Sequence, residues 1–176
     1  MKKFILLFFL LVVLKSEKIL IPMDISQKDH LKAYGVIFWC LENNTNVEWI
    51  LNYKGGSFLI DYKPFIINET KIRGVSTQII QQGELNEIFN FIESENMEIV
   101  LLEKAPKIAV YTPPNKQPWD DAVTLALTYA EIKYETLWDK EVFDGQLNNF
   151  DWLHLHHEDF TGQFGKFYRN FRNAPW

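Results

Sequence analysis

The chain has 176 residues, room for one domain with a sizeable core but not for two large ones. Hydrophobic residues make up 47% and aromatics 15%, a composition that excludes intrinsic disorder. The net charge of -5 excludes the basic footprint with which nucleic-acid binders neutralise phosphates, and a single cysteine, Cys40, excludes an intramolecular disulfide or a Cys-rich zinc site.

The N-terminus opens with Lys2-Lys3 and an unbroken apolar run from Phe4 to Leu14, then turns polar at Lys15-Ser16-Glu17-Lys18. This run is too short to span a bilayer and fits the apolar region of a secretory signal. No small-x-small cleavage site follows it, so cleavage near Ser16 and retention as an uncleaved anchor both stay open. Residues 1–16 are read as a signal peptide or N-terminal anchor. The protein is then exported, periplasmic or cell-envelope associated, and touches a membrane only through this segment if it is uncleaved.

Residues 17–104 read as a first α/β unit. Lys18 to Met23 suggests a short buried strand, and Leu31, Tyr34, Phe38 and Leu41 recur at helical spacing between Gln27 and Asn43. Cys40 falls on this helix and reads as a buried structural thiol. Asn43 to Asn46 forms a turn. Val47 to Tyr53 is a second strand, closing a β-α-β unit of the kind that is nearly always parallel and right-handed. Gly55-Gly56 in the loop after it is either a strand-exit turn or a backbone cradle for an anion. Neither nucleotide-binding glycine fingerprint is met. Ile72 to Ser76 suggests a further strand and Gln81-Gln82-Gly83 a turn. Glu84 to Ser94, with Leu85, Ile88, Phe89 and Ile92 on one face, suggests a helix, and Met97 to Leu102 a strand.

Residues 105–176 read as a second α/β unit. Lys107 to Thr112 is its first strand, and a proline-rich loop leads to a helix from Trp119 to about Ile132. Pro118, Asp120 and Asp121 suit the first turn of that helix, and its interior is apolar nearly all round, which predicts burial. Tyr134 to Trp138 and Trp152 to His156 are the next strands. The C-terminal Phe164–Trp176 has no winding-down polar tail, and Lys166, Arg169 and Arg172 alternate there with aromatics. The second unit has few strands for a covered parallel sheet, so it is expected to continue beyond residue 176.

The most chemically loaded stretch is Asp151 to Gly162, which holds His154, His156 and His157 together with Glu158 and Asp159. Ligands of open α/β sheets collect at the carboxyl ends of strands, where this segment is expected to lie. On a strand, Trp152, His154 and His156 share one face. His154 and His156 with Glu158 would suit a divalent metal, and a neutral imidazole beside a carboxylate is a general base. Candidate catalytic residues are therefore His154, His156, His157, Glu158 and Asp120. Gly55, Gly56, Trp119, Trp152 and Asp159 are candidate ligand contacts. Structural roles for all of them remain the alternative, as does a non-catalytic module that binds a small molecule or peptide.

Leu20-Ile21-Pro22-Met23-Asp24, His30-Leu31-Lys32-Ala33-Tyr34-Gly35, Asn52-Tyr53-Lys54-Gly55-Gly56-Ser57-Phe58, Lys104 to Tyr111, Pro118-Trp119-Asp120-Asp121-Ala122-Val123-Thr124-Leu125 and the 151–162 segment together resemble an exported bacterial family carried under the label "asparagine synthetase B". The label implies glutamine-dependent amide formation. Such a synthetase has a cysteine directly after the initiator Met, where this chain has Lys2, and its Ser-Gly-Gly-x-Asp-Ser loop is not met around Gly55-Gly56, so no synthetase residue is assigned. At the level of fold, Phe150-Asp151-Trp152-Leu153-His154-Leu155 is similar to a strand of class I glutamine-amidotransferase-like domains whose exit loop lines the site. The expected architecture is thus α/β, a parallel sheet with flanking helices in flavodoxin-like or amidotransferase-like units.

Overall fold

The computed structural model describes residues 17–112, 114, 122–155, 169–170 and 172–173. The fold is α/β and divides into two compact units. One comprises Met1–His30 with Thr45–Glu103, the other Leu31–Asn44 with Lys104–Trp176.

The first unit is built on five strands: β1 (Lys18–Ile21), β2 (Val47–Ile50), β3 (Phe58–Asp61), β4 (Gln78–Ile80) and β5 (Ile99–Leu102). Their order across the sheet is β4-β1-β3-β2-β5, and every neighbouring pair is antiparallel. The expected parallel neighbours, β1 and β2, do run in the same direction, but β3 is inserted between them. Helix α1 (His30–Glu42) links β1 to β2, and α2 (Pro64–Ile72) links β3 to β4. The chain order β1-α1-β2-β3-α2-β4 is the split β-α-β topology. Pro64 stands at the start of α2, where its missing N–H costs nothing. The helix continues through Ile72, so the strand expected at 72–76 is instead a helix end and turn.

Helix α3 (Gln82–Ser94) turns Leu85, Ile88 and Ile92 inward, three and four residues apart, as an amphipathic helix must. They meet Leu20, Ile50, Leu59 and Ile80 in one buried cluster. The register pairs Leu20 with Leu59 and Ile50 with Ile99, so these strand residues share the face of the sheet that α3 covers.

The second unit holds β6 (Ile108–Tyr111), α4 (Ala122–Ala130), β7 (Glu135–Leu137), α5 (Asp139–Phe143) and β8 (Trp152–Leu155). Its sheet is parallel throughout, in the order β7-β6-β8, as the repeated strand–helix–strand pattern predicts. Helix α1 groups with this unit. It buries Ala33, Val36, Ile37, Phe38, Cys40 and Leu41, whereas Leu31 and Tyr34, expected on its inner face, are exposed. Phe38, Ile108 and Leu127 form the core that joins α1, β6 and α4. Helix α4 departs from its expected burial: Leu127 and Ala130 are inside, but Leu125 and Tyr129 are each 51% exposed. Strand β8 is the outer strand of the sheet among the described residues, and Trp152 and Leu155 are exposed.

Candidate functional site

The parallel sheet brings three strand ends together. Register pairs Tyr111 with Leu137 on one side and with Leu155 on the other, so these residues mark the carboxyl edge and share one face. Immediately beyond β7, Trp138 stacks on Tyr111 with ring centroids 4.7 Å apart. Asp139 accepts a hydrogen bond from the Tyr111 hydroxyl at 2.5 Å. Glu141 steadies the start of α5, its carboxylate accepting from the Trp138 N–H at 3.0 Å.

A cavity of ≈ 370 Å³ opens at this edge, lined among the described residues by Tyr111, Asp139, Val142, Phe143, Leu147, Leu153 and Leu155. That volume is on the scale of a small ligand. Its lining is apolar apart from the Tyr111–Asp139 pair, and Phe143 is 89% exposed at its rim. Next to Tyr111, Thr112 extends the ladder by donating its N–H to the Leu137 carbonyl at 2.9 Å. Its hydroxyl is buried without a hydrogen-bond partner among the described residues.

The sequence-derived candidates divide clearly. His154 pairs in register with Val110, so it lies one residue short of the carboxyl edge and on the face opposite Tyr111, Leu153 and Leu155. Trp152, on the face of His154, pairs with Ile108 at the amino end of the ladder; it lies about 10 Å along the strand from Leu155 and does not reach the carboxyl edge. Asp151 lies farther still toward the amino end. It accepts the Lys107 N–H at 2.8 Å and sits 3.3 Å from Lys104 Nζ. That backbone hydrogen bond, then the Lys104 ammonium, hold its carboxyl below the ordinary 3.8. Asp151 is therefore a clamp at the amino end of β8, away from the strand-end site. Trp119, Asp120, His156, His157, Glu158 and Asp159 lie outside the described residues. The proposed metal set is thus represented by His154 alone, and no group of three or more metal-ligating side chains occurs among the described residues.

Gly55 and Gly56 belong to the β2–β3 hairpin. Tyr53–Gly55 forms a single turn of 3-10 helix, and Asn52, Lys54, Gly55 and Gly56 all have positive φ. The N–H groups of Gly56 and Ser57 both donate to the Tyr53 carbonyl, at 3.0 and 2.9 Å, so these two donors are used within the turn. Gly56 also presents its carbonyl to Trp49 Nε1 at 3.0 Å.

A larger cavity, ≈ 640 Å³, lies at the amino ends of the same parallel strands beside Lys104, Lys107, Lys133, Glu42, Glu135 and Phe150. Lys133 is paired with Glu42 at 2.9 Å and Lys104 with Asp151. Two of its three lysines are thus paired, and the amino end of a parallel sheet is not where ligands gather.

No family model matches the sequence, and no curated protein matches it. Among solved structures the chain aligns with a formyltetrahydrofolate deformylase from Pseudomonas putida KT2440 at 12% identity and a TM-score of 0.21, over 90% of this chain and 56% of that one. This chain therefore spans just over half of that protein's length.

Proposed function

We propose that this chain is an exported α/β protein that binds a small molecule or peptide group in the crevice at the carboxyl edge of its parallel sheet. The observation that carries the reading is the Tyr111–Asp139 pair, one pre-oriented polar anchor in an otherwise apolar cavity. Such a combination recognises a ligand with an apolar body and one polar head. Asp139 has a second carboxylate oxygen, an acceptor only, so the fitting head is a hydrogen-bond donor or a cation. Export is supported by Lys2-Lys3 and the apolar run Phe4–Leu14, and by the resemblance to an exported family.

The test uses phenethylamine and tryptamine as probes, followed by thermal shift and by chemical-shift mapping. Saturable binding that moves Tyr111, Phe143 and Leu155 resonances, is lost in Asp139→Asn and is weakened in Phe143→Ala supports the reading. Binding indifferent to both substitutions, or none with either amine, refutes it.

A second reading is a hydrolase-like or metal-assisted site built on His154, His156, His157, Glu158 and Asp120, in an amidotransferase-like unit. It is favoured by the parallel ladder that sets His154 beside the carboxyl edge. Elemental analysis of wild type beside the double variant His154→Ala/His156→Ala separates the two. One equivalent of divalent metal lost in the variant supports this second reading, and metal-free wild type removes its metal-assisted form.

A further inference from the structure

Strand β5 is the outer strand of the antiparallel sheet, with β2 as its only neighbour among the described residues. The Leu51 N–H donates to the Glu98 carbonyl at 2.9 Å, and the register runs on through Trp49–Val100 and Val47–Leu102. Antiparallel pairs alternate between bonded and non-bonded, so Glu98, Val100 and Leu102 turn their backbone groups toward β2. The Ile50 N–H, bonded at 2.8 Å to Ser57 on the other side of β2, fixes the same phase independently. Ile99 and Leu101 therefore point their N–H and C=O groups away from the sheet, and continuing the strand by one residue would give Glu103 the same phase.

Natural sheets protect such edges with lysines, prolines or bulges. β5 has none of these. It is Ile-Val-Leu-Leu, and Leu101 is 53% exposed. We propose that this edge pairs with the same edge of a second copy of the chain, antiparallel, about a two-fold axis through Leu101. In that register Leu101 faces its own counterpart and Ile99 faces Glu103, so all three pair through the groups that face away from β2. The register also places Glu98 opposite Lys104, an opposite-charge cross-strand pair on both sides of the axis. Moving the axis to Val100 sets Glu98 against Leu102, and moving it to Leu102 sets Glu98 against Pro106. Charge thus selects Leu101. Lys104 has an exposed contact with Asp151 at 3.3 Å, and its three donors leave it able to engage both carboxylates.

The test is sedimentation velocity on the full chain over about a hundredfold range of concentration. Wild type is expected to form a dimer. Leu101→Lys alone and Leu101→Glu alone should each be monomeric, because each would place like charges face to face. An equimolar mixture of the two should recover the dimer. A wild type that stays monomeric, a dimer that both variants retain, or a mixture that does not pair would each overturn the proposal. Hydrogen exchange on wild type tests the same pairing without a variant. The Ile99 and Leu101 amides should slow as concentration rises while Val100 and Leu102 are slow throughout; exchange at Leu101 that is fast at every concentration overturns it.

Discussion

Gly35, in the middle of α1, lies directly against the end of α4: a Cβ built on it falls 1.8 Å from the carbonyl oxygen of Ala130. Glycine inside a helix ordinarily costs about 1 kcal/mol relative to alanine, so propensity alone predicts that Gly35→Ala stabilises. The contact reverses the sign. Backbone cannot move aside as a side-chain tip can, and overpacking of this kind costs on the order of 3 kcal/mol. Chemical denaturation of Gly35→Ala should show a net loss of about 2 kcal/mol. Unchanged stability would mean that the two helices are not packed this closely.

Gly55 and Gly74 make a controlled pair. Both have positive φ, 77° and 72°, but a Cβ on Gly55 would lie 2.4 Å from the Met23 carbonyl oxygen, while one on Gly74 meets nothing within 4 Å. Gly74→Ala should lose only the left-handed penalty, about 1 kcal/mol. Gly55→Ala adds a backbone clash and should lose about 3 kcal/mol. Parallel urea melts of the two variants check the difference, and equal losses would contradict it.

The Asp151 clamp predicts a pH dependence. Its folded carboxyl titrates below the ordinary 3.8, chiefly because it accepts the Lys107 N–H. A depressed carboxylate contributes stability above the unfolded value, and that contribution is lost as pH falls through the folded value. The melting temperature of Asp151→Ala should therefore fall below that of wild type at pH 7, and the gap should narrow below pH 3.8. A gap independent of pH would mean that the carboxylate charge contributes nothing.

Tyr111→Phe removes the hydroxyl that Asp139 accepts from and keeps the ring that stacks on Trp138. The hydrogen bond is exposed, so the expected loss of stability is under about 1 kcal/mol. Amine binding in the crevice should weaken far more clearly, because Asp139 loses the group that orients it. Comparing the thermal melt of the free protein with an amine titration checks both halves. A large drop in stability with unchanged binding would make the pair structural.

Much of the second unit is legible in the residues. The strand at 108–111 is an apolar run between Pro106 and Pro113, the strand at 152–155 is mostly apolar after Asp151, and in the first unit Leu85, Ile88 and Ile92 announce α3 by spacing. Phe58–Asp61 is not legible in the same way, because the hairpin before it turns on Asn52 and Lys54 at positive φ as well as on two glycines, and non-glycine residues do not advertise that conformation. Without that strand the antiparallel character of the first sheet stays hidden. Periodicity does not announce the Tyr111–Asp139 pair, since it links no residues from separate elements. The rule that singles out the end of β8 applies equally to the ends of β6 and β7, and would flag both residues. Counting histidines draws the eye to one strand when the parallel ladder joins three.

The placement of α1 bears on how the polypeptide becomes a protein. Its flanking strands belong to one unit, while the helix itself groups with the other. A fragment ending at Glu103 would carry α1, with its buried Val36, Phe38 and Leu41, but none of the β6 and α4 residues that pack on Phe38. During synthesis the helix therefore emerges well before Ile108 and Leu127, and Phe38 lacks these core partners until residues near Leu127 have been added.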